Sequence, residues 1–285
     1  GTAHALQEAG IPVRDVSEYT QSPSMLGGRV KTLHPKIHGA LLAIRENPEQ
    51  MEEVRKHNLE LIDMVVVNLY PFLEVTEKEG ISLDTAVENI DIGGPSMLRS
   101  AAKNFSYVAA VSNPEQYPQV LKELKENNCF LSKDTCFDLA VRVFQEVSTY
   151  NSFIGQYLAK QRNQKFPDIL NLSFKKRQEL RYGENPHQKA AVYQEEKETG
   201  LSAAEQLSGK ELSFNNLLDL DAALGLISEF EEPTAVVIKH NNPCGVGCAV
   251  DLANAFEKAY KGDPLSAFGS IIGLNRRIDR ATAEE

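Results

Sequence analysis

The sequence predicts an α/β protein of two domains with a parallel sheet in the first, and three observations carry that prediction. Short β-branched runs punctuate the first half, chiefly Met64-Val65-Val66-Val67 and Tyr107-Val108-Ala109-Ala110-Val111. Helically spaced segments lie between them, and strands covered on both faces by crossover helices belong to parallel sheets. A chain of 285 residues has room for two such domains, and a further strand run, Ala235-Val236-Val237-Ile238, lies well downstream.

Along the chain, Ile11-Pro12-Val13 reads as a first short strand, residues 64–69 as a second ending at Tyr70-Pro71, and residues 107–111 as a third. Asn113-Pro114 supplies an N-cap and first turn for a helix with Val120, Leu121 and Leu124 on one face. Phe137, Ala140, Val141, Phe144, Val147, Ile154 and Leu158 keep helical spacing, so a long helix closes the first domain. Residues 160–176 are polar around Pro167 and read as a linker anchored by Ile169, Leu170 and Leu172. The second unit comprises a helix from 216 to 230, the strand ending at Ile238, a helix from 252 to 260 and a strand at 270–272. The expected division is 1–160, a linker over 161–178, and 179–285.

Composition narrows the function. A net charge of −10 argues against general nucleic-acid binding, which needs a basic face. No run reaches the length of a membrane span, and no signal peptide opens the chain. Cys129, Cys136, Cys244 and Cys248 lack a secreted framework and read as reduced thiols of a cytosolic protein. Cys244 and Cys248 have no second ligand pair nearby, so no metal is expected. Both ends read as cut: no Met opens the chain, and residues 279–285 look like the first turn of a helix.

Several islands carry chemistry. In Gly27-Gly28-Arg29-Val30-Lys31-Thr32-Leu33-His34-Pro35-Lys36-Ile37-His38, five basic or imidazole side chains gather in an acidic protein. Glycines let a backbone approach a ligand, Arg29 can fork onto phosphate oxygens and Lys31 adds a point charge. A phosphorylated metabolite fits that set; a solvated basic loop is the competing reading. In Asp91-Ile92-Gly93-Gly94-Pro95-Ser96, a glycine pair opens a helix whose free amides suit an anion, with Asp91 at the mouth to take a proton. A simple turn into a helix is the alternative. Lys103 shares a helical face with Ser96 and Arg99, about two turns from that mouth. Tyr70 ends a strand at the carboxyl edge, where ligands bind in parallel sheets, though rim packing would also place it there.

Downstream, Lys239 and His240 stand side by side where a core strand meets Asn241-Asn242-Pro243, a position that suits acid–base groups as well as a solvated strand end. Arg181 can hold a phosphate and Tyr182 can stack on a base. Asn216 sits where a helix cap is equally plausible, and Phe268-Gly269 forms a tight loop that lines a pocket or simply turns.

These motifs, with Asn68-Leu69-Tyr70-Pro71-Phe72, Ala101-Ala102-Lys103-Asn104, Arg181-Tyr182-Gly183-Glu184-Asn185-Pro186-His187-Gln188 and Ser266-Ala267-Phe268-Gly269, occur in the order found in the bifunctional purine-biosynthesis family, which the chain resembles over essentially its whole length. That family joins an inosine monophosphate cyclohydrolase to an aminoimidazole carboxamide ribonucleotide formyltransferase. The resemblance implies a methylglyoxal-synthase-like parallel-sheet domain, followed by the first part of a cytidine-deaminase-like α/β domain without its zinc. It implies cyclohydrolase roles for Lys31, Thr32, Tyr70, Asp91 and Lys103, a phosphate contact at Arg29, and substrate positions at Gly1, Thr2, Gly93 and Gly94. For formyl transfer it implies His240 as general base, Lys239 as stabiliser of the formyl oxygen or proton donor, Arg181, Tyr182 and Asn216 as nucleotide contacts, and Phe268 and Gly269 at the site. It further implies 10-formyltetrahydrofolate as cosubstrate and a homodimer without nucleic-acid or membrane partners. The alternative is a non-catalytic phosphometabolite-binding module on the same fold.

Overall fold

In the computed structural model, which describes residues 2–195 and 199–285, the chain divides into two compact units, Gly1–Leu172 and Ser173–Glu285. Two parallel strands, β1 (Met64–Val66) and β2 (Ala109–Val111), lie at the centre of the first, in register from Met64 opposite Ala109 to Val66 opposite Val111. Helices α1 (Thr2–Glu8), α2 (Val16–Thr20), α3 (Pro35–Leu42) and α4 (Pro48–Lys56) precede β1. Helices α5 (Phe72–Thr76), α6 (Leu83–Glu88) and α7 (Gly93–Lys103) make the crossover to β2, and α8 (Tyr117–Glu126) and α9 (Lys133–Gln161) follow.

The two faces of this strand pair bury different sets. Val65, Val108 and Ala110 pack with Ile37 and Leu41 of α3, Leu98, Ala101 and Ala102 of α7, and Ala140, Val143 and Val147 of α9. Ala109 and Val111 pack with Val120 and Leu139. Alternation along a strand sends neighbouring side chains to opposite faces, so coverage on both sides is what an apolar run requires. Each fully buried Leu or Val contributes about 1.5–3 kcal/mol.

Helices α3 and α7 run side by side in the same direction. Thr32, just before α3, lies against Gly93 at the start of α7. His38 Nδ1 and Ser100 Oγ are 2.9 Å apart, and the buried Asn104 amide donates to the carbonyls of Leu41 and Ala43 at 2.8 and 3.0 Å, which closes the end of α3. Both helix starts therefore face one place.

In the second unit β3 (Lys175–Leu180) and β4 (Ala190–Gln194) form an antiparallel hairpin. Helix α10 (Phe214–Ile227) leads to β5 (Thr234–Lys239), flanked by β6 (Asn242–Cys248) and β7 (Ile271–Leu274), both antiparallel to it. Helices α11 (Leu252–Gly262), α12 (Pro264–Ala267) and α13 (Arg280–Glu284) complete the order. β5 is buried on both faces: Val236 and Ile238 against Ala223 and Ile227 of α10, Ala235 and Val237 against Ala255 and Ala259 of α11.

Several expectations change. Ile11–Val13 is not a strand: Pro12 has no N–H, the Ile11 N–H returns to Leu6 O at 3.0 Å, and Ile11 is 49% exposed. On α9 the buried stripe is Leu139, Ala140, Val143, Val147 and Tyr150, while Phe137, Val141 and Phe144 lie about half exposed. Leu121 likewise points away from the core that holds Val120. Residues 175–178, read as linker, begin β3. The break after Lys239 is the turn of a hairpin, and Pro243 is tolerated because β6 is an edge strand. Gly245 and Gly247 are required by contact: a Cβ on either would strike the backbone of Ala255 or Ala259 in α11.

Candidate functional site

The first site lies at the carboxyl ends of β1 and β2, where crevices of parallel sheets bind ligands. Helix α7 opens there with Gly93-Gly94-Pro95. A Cβ on Gly93 would meet the Thr32 hydroxyl, and one on Gly94 would meet the Asp91 carboxylate and Val67. Those positions are glycine so that the two polar groups can sit directly on the helix start.

The mouth is not an open cradle of free amides as the sequence suggested. Asp91 Oδ1 accepts the Gly94 N–H at 2.9 Å, so the protein's own carboxylate caps the helix. Its second oxygen faces the same glycine. The hydrogen bond holds the Asp91 carboxylate at a fixed spot on the helix start.

Tyr70, 55% exposed, follows β1 in the segment that leads into α5. Its phenol and Asp91 both lie near enough to Tyr150 to help hold the Tyr150 proton on; burial is the larger cause of that raised pKa. Arg29 pairs with Glu88, the last residue of α6, three residues before Asp91. Both side chains are mostly exposed, so this guanidinium is tethered beside the mouth and screened by water. Lys31 is exposed next to Thr32 and helps depress the Asp15 carboxyl, whose chief cause is the Ser17 hydroxyl.

Lys103 is not brought to this mouth. It is the last residue of α7, ten positions from Gly93 and about 15 Å along the axis. Thr2 is exposed at the start of α1, and Gly1 lies outside the described residues.

Behind the mouth, Ser100 Oγ gives its hydrogen to Ser96 O at 3.0 Å, so the His38 Nδ1 hydrogen points to Ser100. Burial pushes the His38 imidazole pKa down, and its buried Nε2 has no partner among the described residues.

The second site is organised by α10. Lys239 pairs with Asn242, leaving His240 and Asn241 as a two-residue hairpin loop at φ 53° and 65°. Paired positive φ is the geometry of the type I′ turn, which His and Asn tolerate better than most residues. The Asn241 N–H donates to Asp219 Oδ1 on α10 at 2.7 Å. One turn earlier, Asn215 Nδ2 donates to Glu184 O at 3.1 Å, and the Phe214 N–H donates to Tyr182 O at 3.1 Å. A single helix end therefore ties the 181–188 loop and the Lys239-His240 turn within about 6 Å along its axis.

His240 is exposed. Lys239 Nζ donates to Phe268 O at 2.9 Å, which leaves two of its three hydrogens. Phe268 and Gly269 line a cavity of about 310 Å³ with Phe256, Tyr260 and Ser270. The Arg181 guanidinium stacks on the Tyr182 ring at 4.8 Å, and Ser213 and Arg181 lower the Tyr182 phenol pKa. Asn216 Oδ1 accepts from Ser213 N and Oγ in a capping box at 3.0 and 2.9 Å.

Asp219 and Tyr150 were not singled out in the sequence. The i, i+4 spacing of Asn215 and Asp219 marks one helix face; no local pattern links Tyr150 to Asp91. Among the described residues no cluster of three or more His, Cys, Asp or Glu side chains could hold a metal ion, and no helix is long and apolar enough to cross a membrane.

Comparison with known proteins finds two family models that together match most of the chain. A model of an MGS-like domain matches residues 1–96, and one of the AICARFT/IMPCHase bienzyme matches residues 101–285. Their junction falls inside α7, a continuous helix, whereas the compact units divide after Leu172. The bifunctional purine biosynthesis protein PurH of Thermoanaerobacter sp. (strain X514) is 50% identical over 286 residues, covering 100% of this chain and 56% of that protein. The PurH protein of Listeria monocytogenes serovar 1/2a is also 50% identical over 286 residues, with the same coverage. The crystal structure of ForH aligns at 32% identity and a TM-score of 0.48, over 55% of this chain and 82% of that one. The chain spans about half the length of the curated relatives it matches.

Proposed function

The chain belongs to the AICARFT/IMPCHase bienzyme family, and from that premise we propose that its first unit closes the purine ring of inosine monophosphate while its second carries the proton-handling pair for formyl transfer to aminoimidazole carboxamide ribonucleotide. The observation that carries this reading is the meeting of Asp91, Thr32 and Gly93-Gly94 at one helix start, beside Tyr70, at the carboxyl edge of the parallel strands.

Ring closure needs a carboxamide nitrogen to attack a formyl carbon in the same molecule, after which water leaves. Asp91 takes the proton from that nitrogen. The Tyr70 hydroxyl stabilises charge on the formyl oxygen, which takes up that proton as a hydroxyl; the formylamino nitrogen then gives up its hydrogen as its C=N bond forms and the C–O bond breaks, and water leaves. Arg29 and Lys31 hold the phosphate, with Thr32 and Gly93 against the ligand. Lys103, at the far end of α7, takes part only by a long side chain bent back toward the mouth.

For formyl transfer, His240 accepts the proton of the incoming amine. Lys239 stabilises the formyl oxygen or protonates the leaving nitrogen of 10-formyltetrahydrofolate. The aromatic lining of the cavity beside Phe268 supports a flat heterocycle there, and Arg181 and Tyr182 bind the ribonucleotide. Against the expected limits of 1–160, 161–178 and 179–285, the second domain is proposed to start before β3, near the division after Leu172. The protein is taken as a cytosolic homodimer, supported by the exposure of Phe166, Ile169 and Leu170 at 91%, 76% and 67%.

The test is Asp91→Asn in the full chain, assayed by absorbance for conversion of the formylated nucleotide to the cyclised product. Ring closure falls about 100-fold or more while formyl transfer is retained. Unchanged ring closure would sink the reading, and nucleotide binding without turnover in the unsubstituted protein would favour the non-catalytic module.

A further inference from the structure

Tyr150 lies in the middle of α9, 59 positions from Asp91, and is only 7% exposed. Its hydroxyl accepts the Asp91 N–H at 2.8 Å and donates to Asn89 O at 3.3 Å. One oxygen thereby straps the backbone on both sides of Ile90. The edge of its ring meets Phe72, with centroids 6.3 Å apart at 75°, and Phe72 meets Tyr157 in the same way at 5.6 Å and 90°. Phe72 is two residues beyond Tyr70 and is 2% exposed.

Tyr70 and Asp91 arrive on separate segments. Neither belongs to a helix or strand, and Tyr70 is more than half exposed. Asp91 is fixed twice, through its side chain by Gly94 and through its main chain by Tyr150. The 68–72 segment is fixed by Phe72 in the cluster it shares with Tyr150. The two segments thus share one joint.

We propose that Tyr150 is a positioning residue for ring closure, setting through its hydroxyl and ring the separation of the Asp91 carboxylate from the Tyr70 phenol. It contacts no reacting atom in this role. A neutral phenol is required, because the hydroxyl must donate to Asn89 while it accepts from Asp91. Burial, the largest influence on this group, keeps the proton in place against the opposing pull of the Asp91 N–H hydrogen bond.

This rests on the ring-closure reading above. The test is Tyr150→Phe in the full chain, which keeps the ring on Phe72 and removes the hydroxyl. Ring-closure kcat is expected to fall about tenfold or more, with KM for the formylated nucleotide within about twofold and formyl transfer unchanged. The double variant Asp91→Asn/Tyr150→Phe should be no slower than Asp91→Asn, because a residue that acts through Asp91 has nothing left to position. Phe72→Leu, which keeps the hydroxyl and loosens the joint, should lower kcat less and also spare KM; it decides the matter if Tyr150→Phe fails to fold. Unchanged kcat, equal losses in kcat and KM, or multiplicative losses in the double variant would overturn the proposal. If Asp91→Asn is inactive and Tyr150→Phe turns over at the unsubstituted rate, this inference alone fails; if Asp91→Asn is fully active, the ring-closure reading fails first.

Discussion

The two candidate sites are built by opposite means. At the first, Thr32, Asp91 and Tyr150 come from three separate stretches of chain: α3 and α7 pack side by side in the same direction and bring Thr32 and Asp91 to one helix start, while Tyr150 of α9 bonds the Asp91 backbone. At the second, Lys239 and His240 are neighbours in sequence, and their geometry is that of a two-residue turn held to α10 by Asp219. The first depends on packing and the second on backbone conformation. A change of volume should therefore damage the first while a change of permitted φ should act on the second, and each unit should fail on its own.

The sharpest break comes from volume in the second unit, away from its turn. Gly247→Ala would drive a Cβ into the backbone of α11, where no flexible side chain can yield. The expected cost is about 3 kcal/mol or more. Chemical denaturation with a probe in each unit should show the second unit melting early and the first unmoved; a single shared shift would mean that the units do not fail separately.

Next in size, His240→Ala should lower formyl transfer about 100-fold or more and leave ring closure within twofold in paired assays of the full chain. Loss of both activities would erase the distinction between the sites.

His240→Gly separates chemistry from strain. His240 sits at φ 53°, a region that costs a residue with a Cβ on the order of 1 kcal/mol. Glycine relieves that strain but is more flexible when unfolded, so the midpoint of the second unit should hold or rise slightly while formyl transfer disappears. A clear fall in stability would show that the imidazole, not the turn, holds this region.

The smallest effect belongs to pH and to the first unit. Burial lowers the His38 pKa from its ordinary 6.5. The unfolded chain then binds a proton near pH 6.5 that the folded one resists, so stability present above that value is lost as pH falls through the folded pKa. Urea midpoints of the first unit should drop between pH 7.5 and pH 5, and His38→Gln should flatten the slope. An equally steep slope in the variant would assign the effect to other groups.

Much of this molecule was written locally. The strand runs at 64–66, 109–111 and 234–239, the long helix over 133–161 and the cap at Asn113 follow from signals a few residues apart: alternation, helical period and side-chain acceptors at helix starts. The functional motifs were legible for the same reason, since each is a short run of unusual residues. β3 was not, because Lys175–Leu180 is polar and five of its six residues are exposed, so only its partner β4 defines it.

Tertiary structure decided the rest. It placed the Asp91 carboxylate on the helix mouth that looked free and moved the buried face of α9 off Phe137 and Phe144. It explained Gly245 and Gly247 by a helix lying on them, and it joined Tyr150 to Asp91 across 59 positions. Contacts at such separation leave no period in the sequence. They arise only when helices and strands stack to remove their apolar faces from water, and that stacking chooses which distant polar groups meet.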